Sequence, residues 1–193
     1  MRLPQRFYDG DVVDVATRLI GVEIRRGEVR VRITEVEAYR QDESACHAHR
    51  GETDRNRVMF GPPGRAYVYL CYGLHNMLNV VTTRGVAAAV LVRAVEPIDG
   101  LEVIRARRGG RRGPVLLDGP GKVGQALALS TSDSGVRLYA RGELELHAPT
   151  RPARGIVRGA RVGIDYALPE HRRLRWRFAE KGSIWVSRRK ELK

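Results

Sequence analysis

Ile33-Thr34-Glu35-Val36-Glu37-Ala38-Tyr39, followed by Cys46-His47-Ala48-His49, is the stretch around which this chain is organised. It reads as the end of a strand over Val29–Tyr39, in which β-branched residues alternate with polar ones. Alternation places Val29, Val31, Ile33, Glu35, Glu37 and Tyr39 on one face, and Arg30, Arg32, Thr34, Val36 and Ala38 on the other. Three aliphatic residues then pack inward, and two carboxylates and a tyrosine follow them on the same face. A carboxylate at the rim of a core loses hydration, which raises its basicity. Either glutamate therefore qualifies as a general base. The plainer alternative is that both emerge into solvent where the strand ends.

Upstream, Asp11 is placed to cap a helix through Val12, Val15, Ala16, Leu19 and Ile20, closed by Gly21. A strand at Val22–Ile24 turns at Arg26-Gly27 into the central one. Downstream, residues 40–58 are polar and read as a loop carrying Cys46, His47, His49 and Arg55-Asn56-Arg57, with Gly61-Pro62-Pro63-Gly64 as a turn. Tyr67 to Val81 then reads as a hairpin with its tip between Tyr72-Gly73 and His75-Asn76. Tyr67, Tyr69 and Cys71 share a face, while Tyr72 leaves them where Gly73 permits a turn. An aromatic residue at such a tip is poorly placed to join a core.

Ala87–Ala94 is an apolar strand with one charge, Arg93, whose simplest partner is Glu96. A helix is expected over Pro97–Arg108, with Leu101 and Ile104 inward, leading into a basic glycine-rich loop at 105–114. Gly119-Pro120-Gly121-Lys122 opens a helix through Leu129. A glycine-rich helix start bearing a lysine favours a phosphate contact at Lys122, although the spacing is not that of a nucleotide P-loop. Short strands are expected at 136–138, 144–146, 156–164, 174–178 and 184–186. No internal repeat or boundary divides the chain, so residues 1–193 form a single mixed α/β (α+β) domain.

The 193 residues are 42% hydrophobic, enough for a substantial core, and no run is long enough to span a membrane. The start, Met1-Arg2-Leu3-Pro4-Gln5-Arg6, lacks a signal-peptide apolar region, and two cysteines make no disulfide framework. A reduced, cytoplasmic protein is expected. The formal net charge is +13, with 14 basic and 13 acidic residues in 1–100 against 21 and 9 in 101–193. Arginine supplies nearly all the positive charge, and guanidinium suits bidentate phosphate contacts. Such an excess points first to nucleic acid. Cys46, His47, His49, Cys71 and His75 show no C-x-x-C or H-x-x-x-H pair, so no metal site is expected. His147 and His171 are isolated and read as surface residues, and Tyr67 as core.

A glutamate, a tyrosine and a histidine near one another, tyrosines on a hairpin, a tip tyrosine and a lone strand arginine suit chemistry on a base flipped out of a duplex. Tyr72 is the candidate wedge for the vacated stack. Tyr39, Tyr69 and His47 offer flat faces for a pocket. A carboxylate can activate water or stabilise an oxocarbenium-like sugar.

Glu35-Val36-Glu37-Ala38-Tyr39, Ala45-Cys46-His47-Ala48-His49-Arg50-Gly51, Arg55-Asn56-Arg57-Val58-Met59-Phe60 and Tyr67-Val68-Tyr69-Leu70-Cys71-Tyr72-Gly73 resemble the alkyladenine (3-methyladenine) DNA glycosylase family. So do Asn79, Leu91-Val92-Arg93-Ala94-Val95-Glu96-Pro97, Gly119-Pro120-Gly121-Lys122, Arg161-Val162-Gly163-Ile164 and Gly182-Ser183-Ile184-Trp185-Val186-Ser187, in the family's order. The resemblance implies a compact domain with a curved, mostly antiparallel sheet, flanking helices and a protruding hairpin, acting as a monomer without metal or cofactor. It implies that Glu37 is the general base, with Arg93 and the main-chain carbonyl of Val162 holding the attacking water. Tyr39, His47 and Tyr69 become the walls of the base pocket and Tyr72 the intercalating residue. Asn79 becomes a group that disfavours guanine. The implied substrate is double-stranded DNA carrying alkylated or deaminated purines such as 3-methyladenine, 7-methylguanine, hypoxanthine and ethenoadenine. Its bases would be released by hydrolysis, without lyase chemistry.

Overall fold

In the computed structural model, which describes residues 1–193, the central strand runs from Val29 to Arg40 and pairs with three neighbours. The strands are β1 (Glu23–Arg26), β2 (Val29–Arg40), β3 (Ala66–Cys71), β4 (His75–Val81), β5 (Ala88–Asp99), β6 (Leu144–His147), β7 (Ile156–Gly159) and β8 (Arg177–Glu180). The helices are α1 (Val12–Leu19), α2 (Leu101–Arg107), α3 (Pro120–Ala126) and α4 (Pro169–Arg172). The sheet order is β3-β4-β5-β2-β1-β6, and every pairing is antiparallel. One edge of β2 is covered along its length by β5. The other is shared, with β1 against its first half and β8, itself paired to β7, against Glu35–Glu37. The curled mixed α/β architecture is the expected one.

The pairing of β2 with β5 is irregular at one place. Ile33 lies opposite Val95, Glu35 opposite Ala94 and Val36 opposite Val92, so Thr34 and Arg93 have no direct partner across the ladder. An unopposed residue changes which way the following side chains face. The main core accordingly takes Val29, Val31 and Ile33 before the irregularity but Val36 and Ala38 after it. This overturns simple alternation: Glu35, Glu37 and Tyr39 are not on the aliphatic face but on the opposite one, which they share with Arg32. Both glutamates are nevertheless fully buried, so they do not emerge into solvent.

Asp11 caps α1 as expected, its carboxylate accepting the Val13 N–H at 2.8 Å, and Val12, Val15, Ala16 and Leu19 form the buried stripe. Several expected elements differ. The strand from Ala88 continues through Pro97 to Asp99, and the helix starts only at Leu101, after Gly100 in the left-handed region. Pro97 is tolerated because it sits beside a second irregularity, between Arg30 and Val31. The helix opened by Pro120 ends at Ala126 rather than Leu129. Segments 136–138, 160–164, 174–176 and 184–186 are not strands. The Thr34 hydroxyl, for example, donates to the Trp185 carbonyl, so that segment is tied down by a side chain instead of a ladder.

Helix α3 lies against the return strand of the β3–β4 hairpin at very short range. A Cβ on Gly124 would fall 1.8 Å from the Asn76 carbonyl oxygen, and one on Gly121 would fall 2.8 Å from the His75 ring. Glycine at these positions lets the helix seat the hairpin base, with the Asn76 amide donating to the Leu129 carbonyl at 2.7 Å. No helix is long and apolar enough to cross a membrane.

Candidate active site

The face of β2 opposite the main core meets a cavity of about 650 Å³. Tyr39, His47, Tyr69, Tyr72, Asn79, Arg93 and Val162 all border it, so residues spread over more than 120 positions converge. Glu37 has no exposed surface and lies directly behind this wall. Its Oε1 accepts the Val162 N–H at 2.8 Å and lies 3.4 Å from Arg93 Nη1, while Oε2 accepts the Tyr39 hydroxyl at 2.9 Å. What Val162 shows the carboxylate is its N–H. Two carboxylate oxygens offer about four acceptor positions, so these contacts leave room for one more donor. Burial first, and then the neighbouring Glu37 charge, hold the Tyr39 phenol well above its ordinary range, so it remains a donor.

Arg93 does not pair with Glu96, which is taken by Arg151 and approached by Arg32 at 3.7 Å. Its Nε instead lies 3.3 Å from Glu35, and its Nη1 faces Glu37. The unopposed position of Arg93 in β5 re-aims the side chain to span two carboxylates. Glu35 also receives Arg177 and both the N–H and hydroxyl of Ser187. Burial pushes its carboxyl up, against the pull of Arg93, Ser187 and Arg177.

Two loops complete the wall. Arg161 is buried, donates two hydrogen bonds to Glu43 at 2.7 and 2.8 Å, and stacks over the Tyr39 ring with its guanidinium carbon 4.7 Å from the centroid. That clamp ties the Val162 segment to the histidine-bearing loop. Asn56 then shapes the loop by donating to the His47 and Gly51 carbonyls and accepting from Thr53 N–H. His47, not His49, faces the cavity. Both residues are exposed, but His47 borders the cavity, its Nδ1 3.0 Å from the Tyr67 hydroxyl and its ring edge-on to Tyr69 at 4.6 Å, whereas His49 lies outside it near the Gln41 carbonyl. Tyr67 is buried, but it supports the site through this bond. The Asn79 amide is pinned by the Tyr67 and Met77 carbonyls at 3.1 and 3.3 Å.

Desolvation, and then the Arg55 charge, lower the His47 pKa to about 4. The ring still opens to the cavity on one side, yet it is neutral at physiological pH. Ring-resolved NMR should give a His47 midpoint near 4, against about 6.5 for an unperturbed imidazole. A midpoint near the unperturbed value would mean that the aromatic wall is not closed around it.

At the hairpin tip, Tyr72 is 90% exposed and has φ 50°, in the left-handed region, followed by Gly73 at φ 69°. A bulky aromatic in that conformation costs about 1 kcal/mol and is uncommon. It projects beyond the last strand pair, Cys71 with His75. Lys122 is not free at its helix start: its ammonium pairs with Asp118 at 2.6 Å. Cys46 is buried, with its thiol pushed up to about 12, and the cysteines and histidines do not assemble into a group of metal ligands. His171 is not an isolated surface residue, since the Ser44 N–H donates to its Nδ1 at 3.0 Å; His147 pairs with Glu145. The net charge is likewise not all surface. Arg32, Arg93, Arg161 and Arg177 are buried in ion pairs, while Arg111, Arg112, Arg172 and Arg173 are exposed.

Arg161, Ser187 and Asn56 fall within segments that the sequence singles out but to which it gives no role of their own, and nothing in the sequence points to Glu43 or Tyr166. For Arg161 the signal is an arginine next to Val162 within a segment that resembles the family. Tyr166 is an exposed aromatic bordering the cavity, with its hydroxyl bound to the Ala45 carbonyl at 2.9 Å.

A model of the methylpurine-DNA glycosylase family matches residues 6–184. The chain belongs to that family. A DNA-3-methyladenine glycosylase of Arabidopsis thaliana is 54% identical over 187 residues, covering 96% of this glycosylase and 74% of the relative. A provisionally named 3-methyladenine DNA glycosylase of Nitrosococcus oceani is 51% identical over 192 residues, covering 98% and 95% of the two chains. Another, from Methanoculleus marisnigri, is 48% identical over 197 residues, covering 98% and 100%. The protein is thus a base-excision enzyme of the DNA glycosylase class.

Proposed function

We propose that this glycosylase extrudes alkylated or deaminated purines from double-stranded DNA and hydrolyses their N-glycosidic bond with a water activated by Glu37. The observation that carries this is a carboxylate without exposed surface, fixed by three donors, immediately behind an aromatic-walled cavity. The water enters at the seam between Arg93 and Val162, with the Val162 carbonyl and the Arg93 guanidinium orienting it toward C1′ of the sugar. As the C–N bond breaks, positive charge grows on the sugar, and the buried carboxylate stabilises it. Tyr39, Tyr69 and neutral His47 enclose the base by stacking and hydrogen bonding. Pinned by two carbonyls, the Asn79 amide cannot retreat from an incoming purine edge, so it disfavours the exocyclic amine of an undamaged guanine. Tyr72 fills the vacated stack. Lys122 contacts a backbone phosphate while sharing its ammonium with Asp118, and the exposed arginines supply salt-dependent affinity. The enzyme acts as a monomer in the cytoplasm or its nucleoid, with no cofactor or membrane partner.

A panel of duplexes carrying 3-methyladenine, 7-methylguanine, hypoxanthine or ethenoadenine tests this. At least one should yield free base and an intact abasic strand, with EDTA present, and borohydride should trap no enzyme–DNA adduct. Release of uracil alone, or a trapped Schiff base, would contradict the proposal.

A further inference from the structure

We propose that Ser187, acting with Glu35, is the positioning element of the hydrolytic centre, fixing the Arg93 guanidinium so that its Nη1 edge faces Glu37. This rests on the reading of Glu37 and Arg93 given above. Ser187 lies far from both in sequence and is brought beside them by the terminal segment, which the Thr34–Trp185 hydrogen bond ties to β2. Its hydroxyl accepts Arg93 Nε–H at 3.1 Å and donates to Glu35 Oε1 at 3.0 Å, while its N–H donates to Glu35 Oε2 at 2.7 Å. The polarity of this bridge is settled by its partners, since guanidinium only donates and a carboxylate only accepts.

A guanidinium is planar and rigid, so holding its Nε edge from behind fixes where the Nη edge points. On that rear edge Arg93 meets Ser187 and Glu35; on the front edge it meets Glu37 at 3.4 Å. Without the Ser187 hydroxyl, Nε keeps only the longer Glu35 contact at 3.3 Å, and Glu35 loses one of its donors. Glu35 is itself anchored by Arg177, which also reaches Glu191 at 3.0 Å. The front edge is where the attacking water is held, so a small rotation there misplaces it.

The test compares Ser187→Ala with Ser187→Thr, which keeps the hydroxyl, in single-turnover excision at saturating enzyme. That rate does not depend on the fraction of enzyme folded. Ser187→Ala should lose about 10- to 100-fold in rate, the scale of a misplacement by a fraction of an ångström. Its affinity for an abasic-site duplex should stay within about 3-fold of wild type, because the DNA contacts are untouched. Ser187→Thr should regain most of the rate. A Ser187→Ala rate within about 2-fold of wild type, or equal losses in both variants, would overturn the assignment. If Ser187→Ala does not fold, Ser187→Cys replaces it: a slow Cys variant beside a fast Thr variant supports the role, and equal rates refute it. Glu37→Gln run in parallel separates the two levels. An active Glu37→Gln removes the underlying reading, whereas an inactive one beside a normal Ser187→Ala removes only this inference.

Discussion

Glu37→Gln should lose about 10²- to 10⁴-fold in single-turnover excision, the usual contribution of a positioned base, while its affinity for lesion duplex changes little. The substitution is nearly isosteric. The amide oxygen can still accept the Val162 N–H, and Tyr39 can turn its hydroxyl to accept from the new amide. Arg93 keeps Glu35 and Ser187 as partners, so no buried charge is stranded. What disappears is the negative charge and the proton acceptor. Binding survives because the stacking walls, the wedge and the surface arginines are unchanged. The measurement is the ratio of excision rate to binding constant on one lesion. A rate within about 10-fold of wild type would remove Glu37 from the chemistry and leave Glu35 as the only other carboxylate beside Arg93.

Tyr72→Ser should be about 30-fold or more slower on duplex DNA, yet close to wild type on a single strand carrying the same lesion. A flipped nucleotide competes with its own restacking, an advantage of a few kcal/mol that the wedge removes by filling the gap. Tyr72 is free to serve because it stands at the rim of the cavity, outside the core: it is 90% exposed and sits past the last strand pair. For the same reason its loss should leave the melting temperature within about 2 °C. Single-turnover rates on both substrates give the comparison, and equal losses on both would make the tyrosine part of the pocket.

The extent of β2, the helix cap at Asp11 and the hairpin with its tip tyrosine were legible in the sequence, because period and turn chemistry dictate them locally. The position of Glu35 and Glu37 was misread through the alternation. The signal was nonetheless present: apolar residues fall on odd positions at Val29, Val31 and Ile33 and on even ones at Val36 and Ala38. A change of phase within one strand is what an irregular pair produces, here at Thr34 and Arg93. The pairing of Arg93 with Glu35 and Glu37 over Glu96 was illegible, since it follows from that irregularity and from Ser187 across the molecule. Of the short apolar stretches after residue 130, those at 144–146, 156–159 and 177–178 are strands, whereas 136–138, 160–164, 174–176 and 184–186 are not. These last segments are held by single hydrogen bonds instead of a ladder, as by the Thr34 hydroxyl at the Trp185 carbonyl and the Ala38 N–H at the Trp176 carbonyl. The positive charge was read correctly in sum, but four buried arginines serve the site and its scaffold.

The central claim is that the buried Glu37 carboxylate faces the sugar as charge develops on it. The most direct measurement compares the affinity for two duplexes, one with a cationic pyrrolidine abasic nucleotide and one with its neutral tetrahydrofuran counterpart. Wild-type enzyme should prefer the cation by at least about 10-fold, as expected for a mimic of the oxocarbenium-like transition state, and Glu37→Gln should erase most of that preference. A preference that persists undiminished in Glu37→Gln would place the stabilising charge elsewhere and contradict the account.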